Sequence, residues 1–520
     1  MLALLQRSTF GRRRLMVAGL IAALGISLPA STPPRSAVAA DTCFTATGKP
    51  IADPLPGKLK PGKLGVSLTD FITLPVTRPA RIGPPSVPPV APGQARINYI
   101  GEIPDGSGRL YVPDLNGMLY LVVNGRRVDY LHVARQFRDF QFAPGLGTGF
   151  GFVAFHPEFK TNRKFYTVHS EAGWALANKK PTLPPSPNTN LQHSIITEWT
   201  AKQSAANRFT GTKREVLRIG LSAYKHAIQQ IGFNPYAKKG SGGDHGLLYI
   251  ALGDGEEDNY LAPEWTSAAQ NLGKPHGKIL RINPLASGKA RYTVPKDNPF
   301  AGQPGKLGEI YAYGLRDPHR FSWDPAAPHR MYLGAFGERR VEAVYEVRKG
   351  DNFGWNHREA IFAFRGKKRD QFEVFPLPSG DAKCGFTYPV ATYGRDVNKG
   401  LLDDDGQPMN VVGISGGFVY RGKKIPELRG MYVFGDVVSG HVIYADASKM
   451  TAAKPGVVPP QPQLQLLRLS YKKKPVTISK LANGVDNRRS DFRLGIDGSG
   501  ELYFLVKSNG KIWKVEKEGS

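Results

Sequence analysis

His226 stands two residues ahead of the apolar run 228–233, within Tyr224-Lys-His-Ala-Ile-Gln-Gln-Ile-Gly-Phe-Asn-Pro-Tyr236. Imidazole titrates near neutrality without tuning, so a histidine where a strand begins suits a base that takes a proton from a substrate. The same place suits a structural histidine. His156, in Ala154-Phe-His-Pro157, is the contrasting case, since His before Pro at a strand end fits a hydrogen-bonded turn. A second candidate is Arg316-Asp317, on a Gly/Pro turn between two strand-like runs in Glu309–Trp323. An arginine there can grip a carboxylate in two places, or pair with a neighbouring Asp and lock the turn. The third is Gly334-Ala-Phe-Gly-Glu338, a tight turn whose carbonyls are of the kind that face a hard cation such as calcium.

Three other motifs carry less. Gly253-Asp-Gly-Glu-Glu-Asp258 lacks EF-hand spacing and reads as a solvated acidic loop. Gly413-Ile-Ser-Gly-Gly417 matches G-x-S-x-G, but it runs into the strand-like Phe418-Val-Tyr420 and not into a helix, against a nucleophile elbow. Gly145-Leu-Gly-Thr-Gly-Phe-Gly151 has neither a phosphate-loop lysine nor a following helix.

What positions these residues is a recurring hairpin: a strand with an aromatic–apolar pair, a turn, and a second strand. It occurs at 108–121, 164–199, 246–282, 330–347, 430–444 and 500–515. Six copies of one unit predict an all-β six-bladed β-propeller, with uneven spacing that means long inter-blade insertions. The insertion from Asn356 to Asn410 carries Cys384 and Asp403-Asp-Asp405. The predicted organisation is an export signal at 1–40, a Pro-rich extended arm at 41–95 and the propeller at 96–520. A strand is expected at Ala95–Ile100, leading into the propeller.

Composition agrees. The 520 residues include 59 Gly and 42 Pro, which leave few stretches where a helix can run. Arg12-Arg-Arg14, the apolar run Leu15–Leu28 and Ala37-Val-Ala39 read as an export signal, twin-arginine or general secretory, for a periplasmic or secreted protein. No other run is apolar and long enough to span a membrane. With two cysteines, Cys43 and Cys384, zinc fingers and CxxC chemistry are excluded, and an oxidising compartment allows one disulfide. The net charge of +27 comes from scattered Lys and Arg and reads as a solvated basic surface; export argues against nucleic acid.

Taken together, Gly149–Phe159, Gly246–Gly255, Gly277–Asn283, Pro295–Phe300, Glu309–Pro318, Lys349–Trp355, Gly416–Gly422 and Gly500–Tyr503 resemble, in order, the soluble quinoprotein glucose and aldose sugar dehydrogenases, the glucose/sorbosone dehydrogenases. The resemblance implies oxidation of an aldose sugar or related alcohol or aldehyde, with pyrroloquinoline quinone in the channel, calcium beside it and an external electron acceptor. His226 matches the family's proton-abstracting histidine, Arg316 an arginine on the quinone, and Gly337-Glu338 the pair whose carbonyls hold calcium. Asp317 takes the neighbouring cofactor-contact position, and Arg489 corresponds to an arginine near the last blade. The chain departs from the family pattern at several places. Ala227-Ile-Gln-Gln-Ile231 replaces Asn-Gly-Gly-Arg-Leu, Asp317 replaces an asparagine, Ala343 a common acid, and His441 an arginine. These departures carry the alternative, a propeller without the quinone that serves as a binding module, as the related domain of the hedgehog-interacting proteins does. A calcium-dependent lactonase-like hydrolase is a third class, without an evident Asp/Asn/Glu metal ring.

Overall fold

A computed structural model of the chain describes Cys43 and residues 46–55, 59–77, 96–142, 148–173, 179–185, 192–240, 243–255, 268–338, 340–366, 372–394, 413–482 and 490–519, all within the unit Thr42–Ser520. The expected export signal lies outside the described residues, as do Arg489, Asp403–Asp405 and the 145–147 part of the Gly-rich stretch. Among the described residues no helix is long and apolar enough to cross a membrane.

The chain starts with a long strand, β1 (Lys60–Thr73), and then builds antiparallel sheets in succession. The first holds β2 (Gly101–Glu102), β3 (Leu110–Pro113), β4 (Met118–Val123) and β5 (Arg126–His132). The second holds β6 (Phe150–Phe155), β7 (Lys164–Ala172), β8 (Gln192–Ala201) and β9 (Gly211–Leu221). The third holds β10 (Ile228–Phe233), β11 (Leu248–Leu252), β12 (Lys278–Ile282) and β13 (Ile310–Tyr313). The fourth starts with β14 (Asp317–Trp323), β15 (Met331–Phe336) and β16 (Val341–Val347). A small separate sheet of β17 (Arg358–Glu359), β18 (Phe362–Gly366) and β19 (Phe372–Phe375) intervenes before its last strand, β20 (Ala391–Gly394). The fifth holds β21 (Ile414–Val419), β22 (Met431–Asp436), β23 (Val442–Asp446) and β24 (Gln465–Tyr471), with β25 (Lys474–Val476) on β24. The sixth holds β26 (Phe492–Ile496), β27 (Leu502–Val506) and β28 (Lys511–Lys517).

The first strands of the sheets pack on one another in a ring: β6 on β10, β10 on β14, β14 on β21, β21 on β26 and β26 on β2. This is a six-bladed β-propeller, with the first strand of each blade facing the axis. The six hairpins of the sequence are the second and third strands of the blades; every residue of β11, β12 and β16 is buried. The expected strand at Ala95–Ile100 is instead a single bridge, Ile97 to Asp114, ahead of β2.

Two boundaries differ from the sequence expectation. The Pro-rich arm contains β1, which pairs antiparallel with β28 as the fourth strand of the last blade and parallel with β24 of the fifth. Val66 and Leu68 bury among Tyr420, Leu469, Trp513 and Val515. Proline-rich flanks masked a strand that itself has one proline, Pro61, near its start. The 356–410 insertion also contains β20, an integral strand of the fourth blade, along with the single 3₁₀ turn Asp381–Cys384. Cys384 there is disulfide-bonded to Cys43, as the cysteine count allowed.

If β1 is part of the core, Leu68→Ala should cost about 2–5 kcal/mol in equilibrium urea unfolding, the range for truncating a buried leucine. A change under about 0.5 kcal/mol, usual for surface positions, would show that the arm merely lies against the last blade.

Candidate functional site

Antiparallel pairing of β10 with β11 sets Ile228 opposite Leu252. Two residues outward on each strand stand His226 and Asp254, so the hairpin register brings them face to face. His226 Nδ1 lies 2.6 Å from Asp254 Oδ1. Both side chains are buried, Asp254 completely. His226 has a left-handed backbone (φ 53°), sparsely populated for non-glycine residues though histidine is among those enriched there. The close approach depends on Gly253: a Cβ at that position would stand 2.5 Å from the His226 carbonyl oxygen.

Asp254 is itself fixed. Its Oδ2 accepts from Trp355 Nε1 at 2.9 Å, and its main-chain N–H donates to the Arg316 carbonyl at 2.7 Å. A carboxylate so anchored holds the proton of the imidazole on Nδ1 and makes Nε2 the basic nitrogen, the arrangement of a positioned general base. Asp254 was missed in the sequence because Gly253–Asp258 looked like a solvated loop. The signal that could have found it was the symmetry of the hairpin about Ile228 and Leu252.

Arg316 lies just before β14, beside this pair. Its Nη1 donates to the Gly337 carbonyl at 2.9 Å, its Nη2 is ion-paired with Glu338, and its guanidinium is 5.9 Å from the centre of the Trp355 ring. Burial works against its charge, but the carboxylates of Glu338, Asp254, Asp317 and Glu359 outweigh that and hold its pKa above the ordinary value. The turn-locking partner is thus Glu338 from the next hairpin, and not a neighbouring Asp. Gly334–Phe336, expected in the turn, continue β15; the turn begins at Gly337.

Asp317, the first residue of β14, is 4% exposed, and its Oδ1 has no hydrogen-bond partner. Burial raises its pKa; His226, Arg316 and a hydrogen bond from Gln229 pull it back, while Asp254 adds to the rise. His226, Arg316, Asp317, Gly337 and Glu338 therefore converge at one mouth of the channel. Elsewhere the expectations hold: His156 Nδ1 accepts from the Glu158 N–H at 3.0 Å within its turn. Ser415 lies inside β21 and donates to the Gly435 carbonyl, as befits a strand and not a nucleophile elbow.

The five convergent residues do not fit calcium as placed. The Gly337 carbonyl and the Glu338 carboxylate, both suited to a cation, already take the Arg316 guanidinium. Among the described residues no group of three or more His, Cys, Asp or Glu is arranged to hold a metal ion. Nor does this half of the mouth fit the carboxylates of a quinone. Arg316 is committed to Glu338 and Gly337, and Asp317 presents an acceptor where an anion requires a donor.

Residues 100–514 match the Glucose / Sorbosone dehydrogenase family. The chain belongs to this family. It is 28% identical over 387 residues to the HIPL1 protein of Arabidopsis thaliana, covering 66% of this chain and 52% of that one. The chain thus spans about half the length of the curated relatives it matches. Among solved structures, the apo form of the soluble aldose sugar dehydrogenase of Escherichia coli superposes with a TM-score of 0.53 at 18% identity, covering 82% of this chain and 97% of that one. The PQQ-bound aldose sugar dehydrogenase of Streptomyces coelicolor gives 0.50 at 17%, covering 87% and 98%. These likenesses establish the propeller of this family member.

Asp317 yields a pH prediction. Its folded-state pKa lies above its unfolded one, so between the two the native state binds more protons, and its stability falls as pH rises from about 4. Asp317→Asn should remove that fall and gain stability at neutral pH, on the order of the 1–3 kcal/mol that an unsatisfied buried polar group costs. Urea midpoints of both proteins from pH 4 to 7 check this; parallel curves would show that Asp317 carries no such cost.

Proposed function

We propose that this protein is an exported sugar-oxidising member of its family, with His226 as the base that accepts a hydroxyl proton from an aldose or related alcohol at the channel mouth. The observation that carries the reading is the 2.6 Å contact between His226 Nδ1 and a completely buried, doubly anchored Asp254. Asp254 orients the ring and favours the imidazolium that forms when Nε2 takes a proton. Asp317 Oδ1, an acceptor without a partner, suits a donating hydroxyl, so the mouth is complementary to a polyol. Oxidation also needs a hydride acceptor; the family resemblance implies pyrroloquinoline quinone for that role and an external acceptor beyond it, but Arg316 and Asp317 as placed do not fit its carboxylates, so no step is assigned to the quinone or to calcium. The residues of this chain account for the proton, and Arg316 as seated offers no place to calcium. The Cys43–Cys384 disulfide supports a periplasmic or secreted location, and neither nucleic acid nor a membrane span enters the reading.

The commitment of Arg316 to Gly337 and Glu338 favours a second reading, a propeller that binds a sugar-class ligand without redox turnover. An absorbance titration of the full chain with pyrroloquinoline quinone and calcium, followed by dye reduction with a panel of aldoses, separates the two. Stoichiometric quinone binding and turnover, with His226→Asn keeping the quinone but losing about 10²–10⁴-fold in kcat, is the outcome expected of the enzyme. Saturable sugar binding in calorimetry without quinone uptake would mean the binding module, and neither quinone nor sugar binding would end both.

A further inference from the structure

The channel has a second end. Each axial strand begins at the His226 face and finishes at the opposite one, and β10, six residues long, spans about 20 Å between them. At the far face the closing residues of the axial strands line an open cavity of about 590 Å³, within the size range of small-molecule sites. Much of its wall is aromatic, with Tyr99, Tyr111, Phe152, Phe233, Trp323 and Phe418 among the lining residues, and Glu102, Arg421 and Asp497 also line it. Tyr99 and Phe152 stand 4.9 Å apart between ring centres and tilted. Aromatic walls of this kind take flat, apolar bodies.

Just inward of this cavity on β14, one residue before the lining Phe321, lies Arg320. It is 7% exposed, and its guanidinium carbon is 5.0 Å from the ring centre of the lining Phe152. Nη1 donates to the main-chain carbonyls of Gln229 and His319; among the described residues Nε and Nη2 make no hydrogen bond, and no carboxylate lies within ion-pair distance. Asp317, at the start of the same strand, acts on it only from farther off. Arg493, also buried, adds like charge, and with burial as the main cause draws the Arg320 pKa down to about 9. His319, buried beside it, is held neutral, first by burial and then by Arg320, Arg493 and Lys507, whereas Arg320 keeps its charge at neutral pH. The acids nearer the rim are committed: Glu102 accepts the Gly498 N–H, Asp324 pairs with Arg421, and Asp497 caps its own turn. A buried cation without a counter-charge is costly, and an anion beside it removes that cost.

We infer that this far cavity is a binding site for a flat aromatic anion, an aryl carboxylate or sulfonate, whose ring lies between the aromatic walls and whose charge is directed at Arg320. A cationic ligand meets repulsion from Arg320 and Arg493, and a neutral one leaves Arg320 uncompensated. The site is independent of the proton chemistry at His226.

The test uses the fluorescent aromatic sulfonate 1-anilinonaphthalene-8-sulfonate, titrated into the full chain and competed by 2-naphthoate or by the uncharged 2-naphthalenemethanol. Saturable binding is expected, with naphthoate competing at least about ten times better than the alcohol. Arg320→Met should equalise the two competitors, and Trp323→Ala should weaken both. Should Arg320→Met not fold by circular dichroism, the ratio of the competitors on the unaltered protein decides alone. Equal competition by acid and alcohol, no saturable binding, or indifference to Trp323→Ala would overturn the inference.

Discussion

Everything at the two ends of the channel depends on closing a ring of twisted sheets, and the closure is made by one strand from the beginning of the chain. β1 hydrogen-bonds antiparallel to β28 and parallel to β24, so the last blade is completed by residues more than 400 positions away in sequence and is tied to the fifth blade. Without it β28 and β24 would each present an unpaired edge, the feature propellers exist to avoid. The disulfide from Cys43 to Cys384 fastens the segment ahead of β1 to the turn before β20 of the fourth blade. Both ties join distant parts of the chain, and their chief effect is on the conformational freedom that the open chain would have.

Closure also forces polar chemistry into the interior. Axial strands face one another too closely for a wholly apolar core, and they meet instead through side chains that replace missing strand-to-strand bonds. Gln230 both accepts from the Phe321 N–H and donates to its carbonyl, joining the third blade to the fourth; Ser322 donates to the Gly417 carbonyl, joining the fourth to the fifth. Where β21 passes β14, Gly416 (φ 78°) leaves room for the stem of Arg320, whose Cβ lies 2.3 Å from where a Cβ of residue 416 would stand. The axis is therefore a line of fixed dipoles and charges in a poorly hydrated space, where electrostatic effects are larger than at a surface.

The blades were legible in the sequence because the second and third strands of each sheet carry the aromatic–apolar repeat, as in Gly246–Ile250 with Gly277–Ile282, strands that are buried on both faces there. The axial strands were harder to see, since Ile228-Gln-Gln-Ile-Gly-Phe233 mixes amides and glycine with apolar residues for the reason just given. β1 was hidden by proline on both sides, and β20 by the insertion that precedes it. His226, Arg316 and the Gly337 turn were singled out by residue type and family resemblance, and the structure brings them together. Asp254 and the Arg316–Glu338 pair were not found, because each depends on which residues two strands set opposite one another. Charge and composition say nothing about that register. Arg489 lies outside the described residues, and its role rests on the resemblance alone.

The seating of Arg316 alters what the mouth can be. A dissociable divalent ion neutralises surrounding carboxylates only while it is bound, whereas a guanidinium is a permanent cation carried by the chain. Around it stand Glu338 in direct contact and Asp254, Asp317 and Glu359 acting on its charge, so that one fixed cation is set among four acids. This balance gives the mouth acceptors in excess of donors, with Asp317 Oδ1 as the clearest instance. Such a surface attracts hydroxyl groups and repels carboxylates. Asp317 and the His226–Asp254 pair are thus consistent with each other: both favour a ligand that brings protons to the mouth.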